Sequence, residues 1–297
     1  MIRLISDSAC DLQASYCKKN NVEIIPLYVT FDGEQYSRDK VDVDRDAFYH
    51  EMVDNKAYPK TSLPSIEDFY SKFEECVTAG DSCICITITS TLSGTFNSAR
   101  NAMEMILDKY PDAKVAVYDS GQNTASQALL MHEMVRMRDA GLSYEEMNEK
   151  MPALLNSGRI FFTVHTLEYL RKGGRIGKLL TSAASKLNIR PLLLLEEGKL
   201  GIGGVSRSRK ASIESVLSHT EKFFADRDKG NFIFTVGHGY DREEGMQFRS
   251  TIKERLGISL MEDVPENDFL IEIGAVTACH TGPQAIGIGF IQKYETL

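Results

Sequence analysis

The chain has 297 residues, 42% of them hydrophobic, with a formal net charge of −8 and six cysteines. Such a length suits a large core and two domains, and no apolar run approaches the eighteen or more residues of a membrane span. The net negative charge argues against general nucleic-acid binding, and the scattered cysteines and histidines, without C-x-x-C or H-E-x-x-H, argue against a protein metal site.

In chain order, Arg3-Leu4-Ile5 reads as a first strand that ends in a polar loop at Asp7 and leads to a short helix over 12–19. The amino terminus reaches an aspartate within seven residues and has no apolar stretch of signal-peptide length. A cytoplasmic location, reduced and buried thiols and no stable membrane insertion are therefore expected. Ile24 to Phe31 reads as a second strand with a turn signal at Asp32-Gly33, followed by an exposed charged stretch and an amphipathic helix around Phe48 and Met52. Ser65 and Asp68 form a capping box for a helix that buries Phe69, Phe73 and Cys76.

The alternating run Cys83 to Ile88 reads as a strand, and Phe96, Ala99, Met103 and Ile106 give helical spacing after it. Between them lies Thr89 to Ser98, TSTLSGTFNS. A helix start offers amide hydrogens without intrahelical partners and partial positive charge, and Gly94 permits close approach to the backbone. Ser90, Thr91, Ser93 and Thr95 add hydroxyl donors, more than a single helix cap requires. A third strand over 114–118 exits at Asp119-Ser120-Gly121 into a helix over 123–140, and a Ser143/Glu146 capping box opens another. Strands alternating with helices predict a wound, mostly parallel sheet whose strand-end loops at Asp7, Ser93 and Asp119 share one edge.

After Gly158 the texture changes to an α+β pattern with a largely antiparallel sheet, so two domains are expected, 1–157 and 158–297. The second holds a strand over 159–165, a short helix over 167–170 and a hairpin turning at Glu196 to Lys199. A helix over 212–225, a strand over 231–238 and a helix over 242–256 follow. Two strands, over 269–274 and 286–292, flank a fixed turn at Cys279 to Gln284. From Arg159 to Lys210 eleven Lys and Arg face three Glu, and Arg171, Lys172, Arg175 and Lys178 alternate with glycines. That basic turn suits a phosphate or an acidic partner.

Nucleotide readings of the glycines fail on spacing. Gly177-Lys178 is followed by Leu179 rather than Ser or Thr, and Lys172 stands where a P-loop needs its first glycine. Gly201-Ile202-Gly203-Gly204 lacks the third glycine of a dinucleotide fingerprint. No cofactor is expected. Without G-x-S-x-G, Ser93 is not on a nucleophile elbow, although His280 could serve it as a base. His280 reads equally as a buried histidine bonded to a carbonyl. Seven of the eleven methionines lie between Met103 and Met151, as core or as an adaptable apolar pocket.

Several motifs in order resemble the DegV family of bacterial fatty-acid-binding proteins: I-S-D-S-A-C-D-L at the start, T-S-L-P-S at 61–65, S-T-L-S-G-T-F-N-S-A at 90–99, V-Y-D-S at 117–120, L-E-Y-L-R-K-G-G-R-I-G at 167–177 and H-T-G-P at 280–283. The resemblance runs end to end and departs at Gln284, where the family usually has glycine. It implies a DegV-like two-domain α/β fold with one long-chain fatty acid buried along the first domain and its carboxylate at the domain junction. It also implies carboxylate contacts from Thr61, Ser93 and the Gly94 backbone, with His280 and Arg207 from the second domain. Ser62, Thr95, Asp119 and Gly282 are supporting candidates, and Arg171, Lys172 and Arg175 are candidates for partner or phosphate contact. Relatives of this kind act as the acyl-carrying subunit of a fatty acid kinase, presenting the carboxylate to a separate ATP-binding subunit; the chain is then a carrier, not an enzyme. The alternatives are a serine-dependent lipid esterase using Ser93 and His280, or an interaction protein using the basic turn.

Overall fold

The computed structural model describes residues 1–176, 189–264 and 269–297; Gly177 and Lys178 of the basic turn lie outside them. The first half contains strands β1 (Ile2–Asp7), β2 (Val22–Ile25), β3 (Tyr28–Thr30), β4 (Ser37–Arg38), β5 (Lys60–Ser62), β6 (Ser82–Thr87) and β7 (Val115–Asp119). Between and after them run α1 (Ala14–Lys19), α2 (Arg45–Asp54), α3 (Ile66–Thr78), α4 (Thr95–Lys109), α5 (Thr124–Asp139) and α6 (Tyr144–Ser157). Four strands make a wholly parallel sheet in the order β2-β1-β6-β7. Side chains alternate across a strand, so Cys83 and Cys85 of β6 face Phe69, Phe73 and Ala102 of α3 and α4, while Ile84 and Ile86 face α5. All six cysteines are free and buried, and both capping boxes form as the sequence predicts.

The single strand predicted over 24–31 is broken at Pro26. Proline has no amide hydrogen to offer a ladder, and the chain leaves the parallel sheet there. β3 instead joins a small antiparallel sheet, β4-β3-β5, in which Val29 pairs with Thr61. The stretch after it is not uniformly exposed either, since Asp39 is 3% exposed.

The second half contributes β8 (Arg159–Thr163), α7 (Glu168–Lys172), β9 (Arg190–Glu196), β10 (Lys199–Ser206), α8 (Arg209–Phe223), β11 (Phe232–His238), α9 (Arg242–Leu256), β12 (Ile271–Glu272), α10 (Ala275–Thr281) and β13 (Ile286–Gln292). Its six strands run in the order β10-β9-β8-β13-β11-β12, antiparallel throughout except for the β11/β12 pair. Helices α8 and α9 cover one face through Val216, Leu217, Phe248 and Ile252. Of the turn predicted over Cys279 to Gln284, Cys279 to Thr281 form the end of helix α10 and the chain turns at Gly282 to Gln284, while the strand before it shrinks to two residues.

Helix α5 lies between the two sheets. Ala128, Leu129, Met131, Met134 and Met137 share one apolar cluster with Leu4, Ile84 and Ile86 on one side and Ile271 and Ile291 on the other. Twelve of its sixteen residues are buried, and buried polar groups on it reach neighbouring elements. Ser126 donates to the Arg159 carbonyl at 2.6 Å, and Gln127 donates to Asp7 at 3.0 Å. Five of the seven methionines between Met103 and Met151 belong to this cluster, Met105 is exposed, and none of the seven lines the cavity described next.

Candidate functional site

The loops after β1, β6 and β7 meet at one edge, as parallel topology requires. Asp7, fully buried, accepts from the Ile88 amide at 2.7 Å and the Ala9 amide at 3.1 Å. Asp119 accepts from the Ser90 amide and, at 2.9 Å, from the Gly121 amide. These carboxylates fix the loop that runs from Ile88 into α4. Burial pushes the Asp7 carboxyl up to about 7, against the pull of its amide donors.

Beside this loop lies a cavity of about 870 Å³, counting its opening to solvent. Its walls come from the six-stranded sheet, from β5, from the loop after β6, from the start of α5 and from α10: mostly apolar groups such as Leu27, Ile88, Phe162, Leu195 and Val276, with Thr61, Ser93, Arg175 and His280 converging as a polar group. Each of these four is half-buried.

Thr61 reaches the cavity because strand alternation turns it inward while Ser62 faces solvent. Its Oγ1 lies 2.9 Å from His280 Nε2. The other ring nitrogen, Nδ1, is buried without a partner and packs against Gly173, where any Cβ would overlap it. Orphaned buried N–H groups are rarer than orphaned lone pairs, so the proton belongs on Nε2, which donates to Thr61. The Thr61 hydroxyl hydrogen is then free to be donated into the cavity. Burial, reinforced by the nearby Arg175 charge, pushes the His280 imidazole down to about 4, so it is neutral at pH 7.

Arg175 donates through Nε to the Leu92 carbonyl at 3.1 Å and through Nη1 to the Gly173 carbonyl at 2.6 Å. Among the described residues no carboxylate pairs with it, and none of them accepts from Nη2. Ser93 Oγ shares a 2.8 Å hydrogen bond with Thr95 Oγ1, and Ser93 sits just before α4, which opens at Gly94 with no side-chain cap and no acidic residue in its first turn. A guanidinium, two hydroxyls, one of them backed by the His280 N–H, and an uncapped helix start together make a site for a small planar anion.

Several sequence candidates fall elsewhere. Arg207 is exposed at the end of β10, its carbonyl accepting from Arg190, and does not line the cavity; Arg175, read from sequence as a partner contact, is the arginine there. Charge density could not separate the two, because only the return of the chain after α7 brings Arg175 under Leu92. Asp119 holds loops together, and Thr95 is buried beneath Ser93. Gly282 caps α10 at φ 77°, where a Cβ would stand 2.6 Å from the Tyr169 ring. Thr91 donates to the Gly198 carbonyl of the β9–β10 turn, and Ser90 is exposed. Arg171 is exposed, while Lys172 sits 3.1 Å over the Tyr58 ring and 3.4 Å from Glu168. Sequence reading missed Asn123, Thr124 and Thr277, which line the cavity from α5 and α10; Thr124 at φ 37° is strained for a β-branched residue.

A serine hydrolase arrangement does not assemble. His280 bonds Thr61, not Ser93, and its Nδ1 faces a glycine rather than an orienting acid. Among the described residues no three His, Cys, Asp or Glu side chains group as a metal site, and no helix is long and apolar enough to cross a membrane.

Comparison with known proteins places these features in a family. The DegV family profile, described as "uncharacterised protein, DegV family", matches residues 1–293. A DegV domain-containing protein of Clostridium acetobutylicum is 31% identical over 290 residues, 97% of each chain. The structure is similar to that of a stearic acid-binding protein from Eubacterium ventriosum, with 47% identity, a TM-score of 0.94 and full coverage of both chains. It is also similar to a fatty-acid-binding DegV family protein from Thermus thermophilus, with 27% identity and a TM-score of 0.83 over 98% of this chain and 99% of that one. With a profile match over nearly its whole length and a relative above 30% identity, the chain belongs to the DegV family.

Proposed function

We propose that this chain binds a long-chain fatty acid in this cavity and presents the carboxylate to a separate ATP-binding kinase subunit. The observation that carries the reading is the convergence of Thr61, Ser93, Arg175 and His280, beside the Gly94 start of α4, on one part of a mostly apolar cavity. The fatty acids bound by structural relatives, stearic acid at 47% identity among them, support the same ligand class. In this reading residues 1–157 and 158–297 act as two domains that complete the site together.

A hexadecanoate-like tail burying roughly fourteen methylenes at ~0.8 kcal/mol each contributes about 11 kcal/mol before association costs. The tail therefore supplies affinity. The polar group offsets desolvation of the carboxylate and fixes its orientation, at about 1.5–3 kcal/mol per hydrogen bond to the charge. Neutral His280 acts as a donor relay through Thr61, not as a base, because a fatty acid carboxylate is already ionised at neutral pH. In the transfer step a carboxylate oxygen forms a bond to the γ-phosphorus of ATP as the bond to the departing ADP oxygen breaks, and Arg175 balances the charge. Exposed Arg171 lies where an acidic partner surface would meet the carrier.

The test is organic extraction of the denatured protein with mass spectrometry, alongside the Thr61→Ala/Ser93→Ala double variant, followed by incubation with the kinase subunit and labelled ATP. Stoichiometric fatty acid in the wild type, with retention and acyl phosphate formation reduced in the variant, is expected. A wild-type protein that neither carries nor takes up fatty acid overturns the reading.

A further inference from the structure

β11 and β13 are adjacent inner strands of the second sheet, and Gly237 pairs directly with Gly287 across them. Both line the cavity. Glycine inside a strand forfeits packing and conformational entropy, so each such glycine calls for a local cause. At Gly287 the cause is steric, since a Cβ would overlap Phe162 and the Phe161 carbonyl. Gly289, two residues on, has a similar cause: a Cβ there would lie 2.7 Å from Ala125 Cβ and 2.9 Å from the Ser126 amide nitrogen, so α5 packs directly on its backbone.

Gly237 has no such cause. Its φ is not in the left-handed region. A Cβ there would meet Ile271, Ile273 and Ala125 at 3.6, 3.7 and 3.8 Å, all ordinary van der Waals distances. Neither backbone nor neighbours exclude a methyl group at this buried position. What the missing side chain leaves is room in the cavity wall, in a part lined by buried Ala125 and Ile273 rather than by the half-buried polar group.

We propose that Gly237 is a specificity-determining residue: the alkyl tail of the bound acid passes over its bare backbone, and the absence of a side chain there sets the longest tail the cavity accepts. This rests on the fatty-acid reading above. A valine at 237 carries two methyls beyond Cβ into the tail's path and displaces one or two methylenes. Each displaced methylene weakens binding about fourfold.

The experiment loads delipidated wild type, Gly237→Val and Gly237→Ala with an equimolar mixture of dodecanoate, tetradecanoate, hexadecanoate and octadecanoate. The retained acids are quantified by mass spectrometry, and thermal transitions are recorded alongside. Gly237→Val is expected to lower the octadecanoate-to-dodecanoate ratio by about four- to fifteenfold while leaving dodecanoate retention unchanged. Gly237→Ala, whose methyl fits existing space, is expected to move the ratio the same way by up to about fourfold and decides the matter should the valine variant not fold. Folded variants with the wild-type ratio overturn the assignment of Gly237. A wild type that retains none of the four acids overturns the fatty-acid reading instead.

Discussion

Replacing Arg175 with methionine removes the single cation that lines the cavity among the described residues while keeping a side chain of similar reach. The loss to the protein itself is small. Two carbonyls, those of Leu92 and Gly173, lose a donor near solvent, which costs about 1 kcal/mol of stability or less each. The loss to an anionic ligand is larger, because charge-assisted hydrogen bonds contribute about 1.5–3 kcal/mol. Arg175 is half-buried and partly screened, so the lower half of that range applies, a roughly ten- to fortyfold rise in Kd for a fatty acid. Displacement of a fluorescent fatty acid gives Kd directly, and Arg207→Met, at an exposed position, should leave it unchanged. A second readout is independent of any ligand. Since Arg175 is one of the two causes that depress the His280 imidazole to about 4, its removal should raise that value, read from the pH titration of the ring protons by NMR. A folded Arg175→Met protein with wild-type Kd and an unmoved His280 titration would refute the electrostatic account of the site.

Thr61→Val deletes the one hydrogen bond of the His280 side chain and leaves both ring nitrogens buried without partners; a loss of about 1–3 kcal/mol in chemical denaturation is expected, with an unchanged transition counting against the tautomer assignment. Asp11 is 2% exposed, and burial pushes its carboxyl up to about 6 against the pull of the Lys40 charge, the Thr124 hydroxyl and the Gly274 amide. Because its folded value lies above the unfolded 3.8, the native state holds the extra proton, and stability attributable to this group declines as pH rises from about 4 to 6 and stays low above that. Asp11→Asn should therefore gain stability relative to wild type as pH rises through this window, by a difference on the order of 3 kcal/mol; parallel stability–pH curves for the two proteins would contradict it.

Elements whose periodicity expresses one buried face were legible in the sequence. The alternation of Cys83 to Ile86, the helical spacing after Thr95 and the two capping boxes each correspond to an observed element, because burial on one side writes a period into the chain. Helix α10 was not legible for the opposite reason. Its seven residues, AVTACHT, are buried or nearly so on every side, and a short segment without a polar face carries no helical period. Thr61 and Ser93 stood out through their hydroxyl-rich surroundings, but the choice of arginine did not, since neither Arg175 nor Arg207 carries a local mark of the cavity. Gly237 was equally silent: a glycine whose purpose is empty space differs from a packing glycine only in three dimensions.

The position of α5 bears on how such proteins can be recombined. A graft between two relatives joined at 157/158 would follow the change in sequence texture, yet it would set α5 of one parent against β11 and β13 of the other. There the Gly289 backbone must mate with Ala125 and Ser126 to within a methyl group. A crossover placed upstream of Gln122, so that α5 travels with the sheet it is moulded to, should give the soluble hybrid. The workable seam between relatives therefore lies ahead of that helix rather than at 157/158.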